Sequence, residues 1–141
     1  MSMSQEAILC VDDEPIILLS LIHELKNDFG ERFLYESALN ALDAFKVIEG
    51  LTSDGIEVIL IISDWLMPGI RGDQFLMQVR SQYPGIKAIM LTGHADESAT
   101  ARLRENNLVL AILRKPWDQM ELRDLIDSHC GGSLKGRAAH E

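Results

Sequence analysis

The sequence predicts a doubly wound α/β domain on a five-stranded parallel sheet. Two observations carry this. Short apolar runs rich in β-branched residues end in polar or turn residues, as strands buried on both faces do. Between them the apolar period changes to that of a helix, so strands and helices alternate, which is the pattern of parallel βα units with right-handed crossovers. A third observation is length: 141 residues suit one domain that buries its core without disulfide staples.

The elements follow in order. Ala7 to Val11 is the first strand, ending at Asp12-Asp13-Glu14. Pro15 opens the first helix, because its ring suits a first turn and the preceding acids complement the helix dipole. Leu18, Leu21, Ile22, Leu25 and Phe29 repeat at helical spacing, and Gly30 stops the helix. Phe33 to Ser37 is a weaker second strand, placed at an edge by Glu31, Arg32 and Glu36. Ala38 to Ile48 reads as the second helix, with Leu42, Phe45 and Ile48 inward, and Glu49 to Gly55 as a loop. Val58 to Ile62 climbs to Asp64, and the chain then breaks at Pro68, Gly69 and Gly72. The third helix, Asp73 to Gln82, turns Phe75, Leu76 and Val79 inward. Lys87 to Thr92 is the fourth strand, broken by Gly93. Asp96 to Asn106 is the fourth helix, with Ala99 and Leu103 inward. Leu108 to Leu113 is the fifth strand, and Trp117 to His129 the fifth helix, with Leu122, Leu125 and Ile126 buried. The domain is expected over 1–130, and 131–141 as a linker or frayed end, since the apolar period stops at Gly131-Gly132-Ser133.

Charge narrows the function classes. A formal net charge of −9 repels phosphate backbones, so direct nucleic-acid binding is not expected, while the carboxylates suit a divalent cation. Cys10 and Cys130 form no metal-type pair and read as reduced thiols of a cytoplasmic protein. The opening Met1-Ser2-Met3-Ser4-Gln5 has no signal-peptide character, and no apolar stretch approaches the ~20 residues that span a bilayer, so no membrane association is expected.

In a parallel sheet the carboxyl ends of the strands lie on one side, where open α/β sheets keep their ligand sites. Here strand 1 brings Asp12 and Asp13, strand 3 Asp64, strand 4 Thr92 and strand 5 Lys115. Three ionised carboxylates need a counter-charge to share a small pocket. Mg²⁺, which prefers oxygen ligands, supplies one and the Lys115 ammonium another. Taken singly, Asp12-Asp13 also suits a helix cap, Asp64 a turn, Thr92 a strand and Lys115 plain surface charge. The joint pattern is what specifies a site.

These residues resemble the receiver domains of two-component response regulators, such as the single-domain chemotaxis regulator. The resemblance rests on Val11-Asp12-Asp13-Glu14, on Asp64-Trp65-Leu66-Met67-Pro68 with Gly72 eight residues past the acid, on Leu91-Thr92-Gly93 and on Lys115-Pro116, and it covers about 6–129. It implies the flavodoxin-like (β/α)5 fold with strand order 2-1-3-4-5. It implies a phosphoryl group taken onto Asp64 from a histidine kinase, a phosphotransfer protein or a small phosphodonor. Asp13, Asp64 and the Leu66 carbonyl would bind Mg²⁺ directly, and Asp12 through water. Lys115 would pair with the acid and then the phosphoryl group, and Thr92 would bond a phosphoryl oxygen, helped by amides after Asp64 and Thr92. The family also has a cis peptide before the proline matching Pro116. Output would pass through the face of helix 4, strand 5 and helix 5, to an effector domain or a second copy.

One position departs from the family's habit, and two others bear on the lifetime of the phosphoryl group. Ile112 stands where an aromatic residue usually serves as a ring switch, and Leu66 and His94 occupy positions that influence dephosphorylation. Two other classes stay open. A Mg²⁺-dependent phosphohydrolase using an aspartyl-phosphate would want an acid at position 66, which is Leu. A binding module that never takes phosphate would not need the full acid, threonine and lysine set.

Overall fold

The computed structural model describes residues 5–93 and 97–130. β1 (Glu6–Val11) leads through the acidic corner into α1 (Pro15–Phe29), with Pro15 at its start and Gly30, at φ 57°, at its end. A 3-10 turn precedes β2 (Leu34–Ala38). Then come α2 (Ala41–Ser53), β3 (Glu57–Asp64), α3 (Gly72–Gln82), β4 (Lys87–Thr92), α4 (Glu97–Glu105), β5 (Ala111–Arg114) and α5 (Gln119–Cys130). Between β3 and α3, Leu66–Met67 and Ile70–Arg71 form a small antiparallel ribbon around Pro68-Gly69. All five main strands pair in parallel in the order β2-β1-β3-β4-β5.

Alternation along the strands divides the core in two. Leu9, Val11, Ile61 and Met90 face α2, α3 and α4, whose Ala44, Ile48, Phe75, Val79 and Leu103 complete one cluster. Ile8, Cys10, Leu60, Ile62, Ile89 and Leu91 face α1 and α5, meeting Leu21, Leu25, Leu122 and Ile126. The pairing of β1 with β3 steps from Ala7↔Val58 to Ile8↔Leu60, so Ile59 is an extra residue in β3. That bulge restores alternation for the run that ends at Asp64.

Several expected boundaries move. The second helix does not begin at Ala38, which pairs with Val11 in β2. It begins after Asn40, whose side chain accepts a hydrogen bond from Asp43 N at 2.8 Å. It also runs through Gly50 to Ser53. Gly55 N donates to Thr52 O and Ile56 N to Leu51 O, the paired bonds of a Schellman end with Gly55 left-handed at φ 78°. The inward row is Ala41, Ala44, Ile48 and Leu51, with Phe45 half-buried; Leu42, expected inside, is 67% exposed.

The fifth strand starts at Ala111, not Leu108. Asn107, at φ 53°, and Leu108 close α4 with the same pair of bonds, to Arg104 O and Leu103 O. α5 starts at Gln119 rather than Trp117, because Asp118 Oδ1 accepts from Met120 N and Glu121 N at 2.8 and 3.2 Å. Leu122 and Ile126 are buried as expected, and Leu125 is half-buried. His94, the helix start at Asp96, the inward placement of Ala99 and the tail over 131–141 lie outside the described residues and side chains. No helix among the described residues is long and apolar enough to cross a membrane.

Candidate functional site

Strand ends that are adjacent in the sheet bring distant residues together. Val11 lies opposite Ser63, and Asp64 opposite Leu91, so Asp12, Asp64 and Thr92 emerge side by side. Lys115 follows β5, and its N–H donates to Thr92 O at 2.8 Å. The Lys115 Nζ lies 2.8 Å from Asp12 Oδ2 and 2.9 Å from Asp64 Oδ1. One ammonium therefore bridges two buried carboxylates, Asp12 at 2% and Asp64 at 7% exposure. Asp12 Oδ1 accepts from Glu14 N at 2.9 Å, which turns the corner into α1. Asp13 is exposed.

Carboxylate oxygens of Asp12, Asp13 and Asp64 all lie within 4.8 Å of one another. An all-oxygen donor set with one open side suits a hard divalent cation that retains waters. Burial pushes the Asp64 carboxyl above the ordinary carboxylate value; the Lys115 hydrogen bond opposes this and the Asp12 charge adds to it. Burial works to lower the Lys115 ammonium, but its bonds to Asp12 and Asp64 outweigh that and raise it. The pocket thus favours neutralisation of its negative charge by any cation at hand.

Backbone close packing fixes the loop after Asp64. Gly72 N–H donates to Trp65 O at 2.7 Å. A Cβ on Gly72 would lie 2.6 Å from Asp64 O and 2.8 Å from Met90 Cε, so only glycine fits beside the acid's own carbonyl. Gly69 makes the turn at φ 86°. The Trp65 amide donates to Leu91 O at 3.0 Å and also stabilises the Asp64 carboxylate. Leu66 turns its side chain outward at 60% exposure, and Thr92 is buried at the end of β4. The Lys115-Pro116 peptide is cis.

Every strand-end residue singled out from the sequence is therefore in one place. Sequence reasoning missed Asp73. This acid sits in the first turn of α3, is buried, and pairs with Arg71 and with Arg102 of α4. An acid beside a helix start reads as a dipole partner, and nothing in the sequence marks Arg102 as its mate. Trp117, which follows the cis Pro116, donates its Nε1 to Glu24 Oε1 on α1 at 2.8 Å. Ile112 is half-buried against the cluster that α4 covers.

Comparison with known proteins agrees with this arrangement. The family described as the response regulator receiver domain matches residues 8–127. The chain is 32% identical over 127 residues to the hydrogenase transcriptional regulatory protein HoxA of Cupriavidus necator, covering 89% of this chain and 24% of that protein. It is 29% identical over 115 residues to the sensor kinase CckA of Brucella abortus, covering 82% of this chain and 11% of that one. The chain thus spans a quarter or less of these curated relatives. Among solved structures, the signal receiver domain of an HD domain-containing protein from Pseudomonas fluorescens Pf-5 superposes with a TM-score of 0.78 at 28% identity, covering 94% of this chain and 99% of that one. A CheY-like receiver domain protein from Methanospirillum hungatei JF-1 gives 0.78 at 25%, covering 95% and 99%.

Proposed function

Since the chain belongs to the response regulator receiver domain family of two-component signalling, we propose that Asp64 is its phosphoryl acceptor and that Asp13, Asp64 and the Leu66 carbonyl hold Mg²⁺, with Asp12 acting through water. The observation that carries this reading is the single ammonium of Lys115 set between Asp12 and Asp64, beside an open cluster of three carboxylates. When bound, the cation would offset the negative charge that phosphoryl transfer spreads over the phosphoryl oxygens.

The chain's own residues do the rest. An Asp64 carboxylate oxygen forms the bond to phosphorus as the donor's bond to phosphorus breaks and the donor leaves with that electron pair. The donor would be a phosphohistidine of a kinase or phosphotransfer protein, or an acyl phosphate. Lys115, freed from Asp64 as that carboxylate becomes an ester-like oxygen, would follow the charge to the phosphoryl group. The Thr92 hydroxyl would donate to a phosphoryl oxygen. The product would be a mixed anhydride, labile enough to reset. Output would leave by the groove that β5 forms with its flanking helices, lined by Arg104, Ile112, Glu121, Asp124 and Leu125, toward an effector domain or a second copy.

A phosphohydrolase reading is weaker, because Leu66 offers no acid to protonate a leaving group. The test is intact mass after acetyl phosphate with Mg²⁺. One added phosphoryl group is expected in the parent chain, none in Asp64→Asn, and in Asp13→Ala the Mg²⁺ needed for half-labelling should rise at least about tenfold. Undiminished labelling of Asp64→Asn would assign the acceptor elsewhere.

A further inference from the structure

One buried acid takes no part in the strand-end cluster. Asp73, the second residue of α3, is 4% exposed. Its Oδ1 lies 3.3 Å from Arg71 Nε, and its Oδ2 lies 3.3 Å from Arg102 Nη2. A carboxylate out of water is held only by such partners, and the two come from different places. Arg71 ends the ribbon that follows Asp64, and Arg102 belongs to α4, 29 residues further along the chain.

The position gives Asp73 leverage in both directions. The residue before it, Gly72, packs against the Asp64 carbonyl with no room for a Cβ and donates to Trp65 O. The first turn of α3 therefore cannot stay still if the backbone of Asp64-Trp65 shifts. On the other side, α4 is tied to α3 at two levels. Arg80 donates to Asn106 O and Asn107 O, at 2.9 and 2.6 Å, near the end of α4 that lies away from the site. Arg102, in the last turn of α4 and one turn before Asn106, reaches Asp73 at the start of α3. A displacement of the first turn of α3 would thus bear on the last turn of α4 through Arg102.

We propose that Asp73 is a positioning residue that couples the loop after Asp64 to α4 through Arg102. The link carries a loop shift to α4 as a change in the Asp73–Arg102 pair, and the position of α4 bears on the loop by the same path. Coupling of this kind is reciprocal. The inference rests on Asp64 being the acceptor. Arg102 is the better residue to change, because its half-exposed side chain can be replaced without leaving a large void.

The experiment uses fluoroberyllate with Mg²⁺ as a phosphoryl mimic and follows amide shifts in the full chain, in the parent, Arg102→Gln and Arg102→Lys. In the parent, shifts are expected near Asp13, Asp64 and Lys115 and along residues 97–105. Arg102→Gln should keep the first set and reduce the second by roughly twofold or more, with Arg102→Lys restoring part of it. A pair that only stabilises the fold would lower the melting temperature and leave the α4 response unchanged, and that result overturns the proposal. A parent response confined to the site, never reaching α4, also overturns it. No response even at Asp13 and Lys115 would bring down the acceptor reading itself, and the link with it.

Discussion

β3 and β5 each deliver one charged group to the same pocket, and they are built differently. β3 has eight residues, lies between β1 and β4, and is buried over nearly its whole length up to Asp64. β5 has four residues, forms the outer edge, and buries only Leu113. The carboxylate is thus mounted on a buried interior strand and the ammonium after a more exposed edge strand. A core strand cannot move without losing contacts on both faces, whereas an edge strand can shift with the helices beside it. If the proposed function holds, Asp64 would be the fixed half of the chemistry and Lys115 with its neighbours the movable half.

The strongest way to break the comparison is to truncate one apolar side chain in each strand. Ile61→Ala removes a fully buried side chain from β3 and should lower unfolding free energy by about 2–5 kcal/mol. Ile112→Ala removes a half-buried one from β5, and a loss nearer 1 kcal/mol is expected. Urea denaturation of the two variants gives both values. Equal losses would mean that the edge strand is as fixed as the central one.

Next in size is the ammonium itself. Lys115→Met leaves the buried carboxylates of Asp12 and Asp64 facing each other without a counter-charge. At neutral pH, without Mg²⁺, this should lower stability by about 1–3 kcal/mol. Burial already holds the Asp64 carboxyl above its ordinary value, with Lys115 opposing, so loss of Lys115 would push it higher still. The folded state then prefers the protonated acid. The deficit is therefore absent below the unfolded value, about pH 4, and grows as pH rises through the folded one. Urea midpoints of parent and variant at about pH 4 and pH 7 check the sign; a deficit of the same size at both would refute the electrostatic account.

The same contrast explains what could be read from the chain beforehand. β1, β3 and β4 were legible because a buried parallel strand is a short apolar run, and each run stops at the polar residue that enters the pocket. The start of β5 differs from the expected Leu108 because Leu108 to Leu110 continue the apolar run, although Asn107 and the Leu108 amide are spent closing α4. α2 runs past the expected end at Ile48 because the helix takes in Gly50, and Gly55 is the left-handed residue that ends it. The pairing of Asp73 with Arg102 was invisible, since it depends on how α3 and α4 lie against the sheet. Residues that a strand end delivers can be read locally; contacts between helices cannot.

The smallest expected effect concerns the loop that β3 feeds, and it tests whether the constrained strand also governs how long the phosphoryl group lasts. Leu66 lies two residues past Asp64 and is 60% exposed. An apolar side chain there would shield the acyl phosphate, whereas an amide could hold a water in line with phosphorus. Leu66→Asn should then shorten the lifetime of the phosphorylated chain by a few-fold, equivalent to about 1 kcal/mol or less in the barrier. The substitution is on the surface, so stability should change by no more than about 0.5 kcal/mol, which separates a kinetic effect from loosening of the fold. Loss of the added mass, timed after removal of acetyl phosphate, measures the lifetime, and a His94→Ala background removes the imidazole that could itself orient water. Unchanged lifetimes in both backgrounds would reject shielding by Leu66 and shift attention to the Lys115 end of the pocket, where the edge strand leaves more freedom.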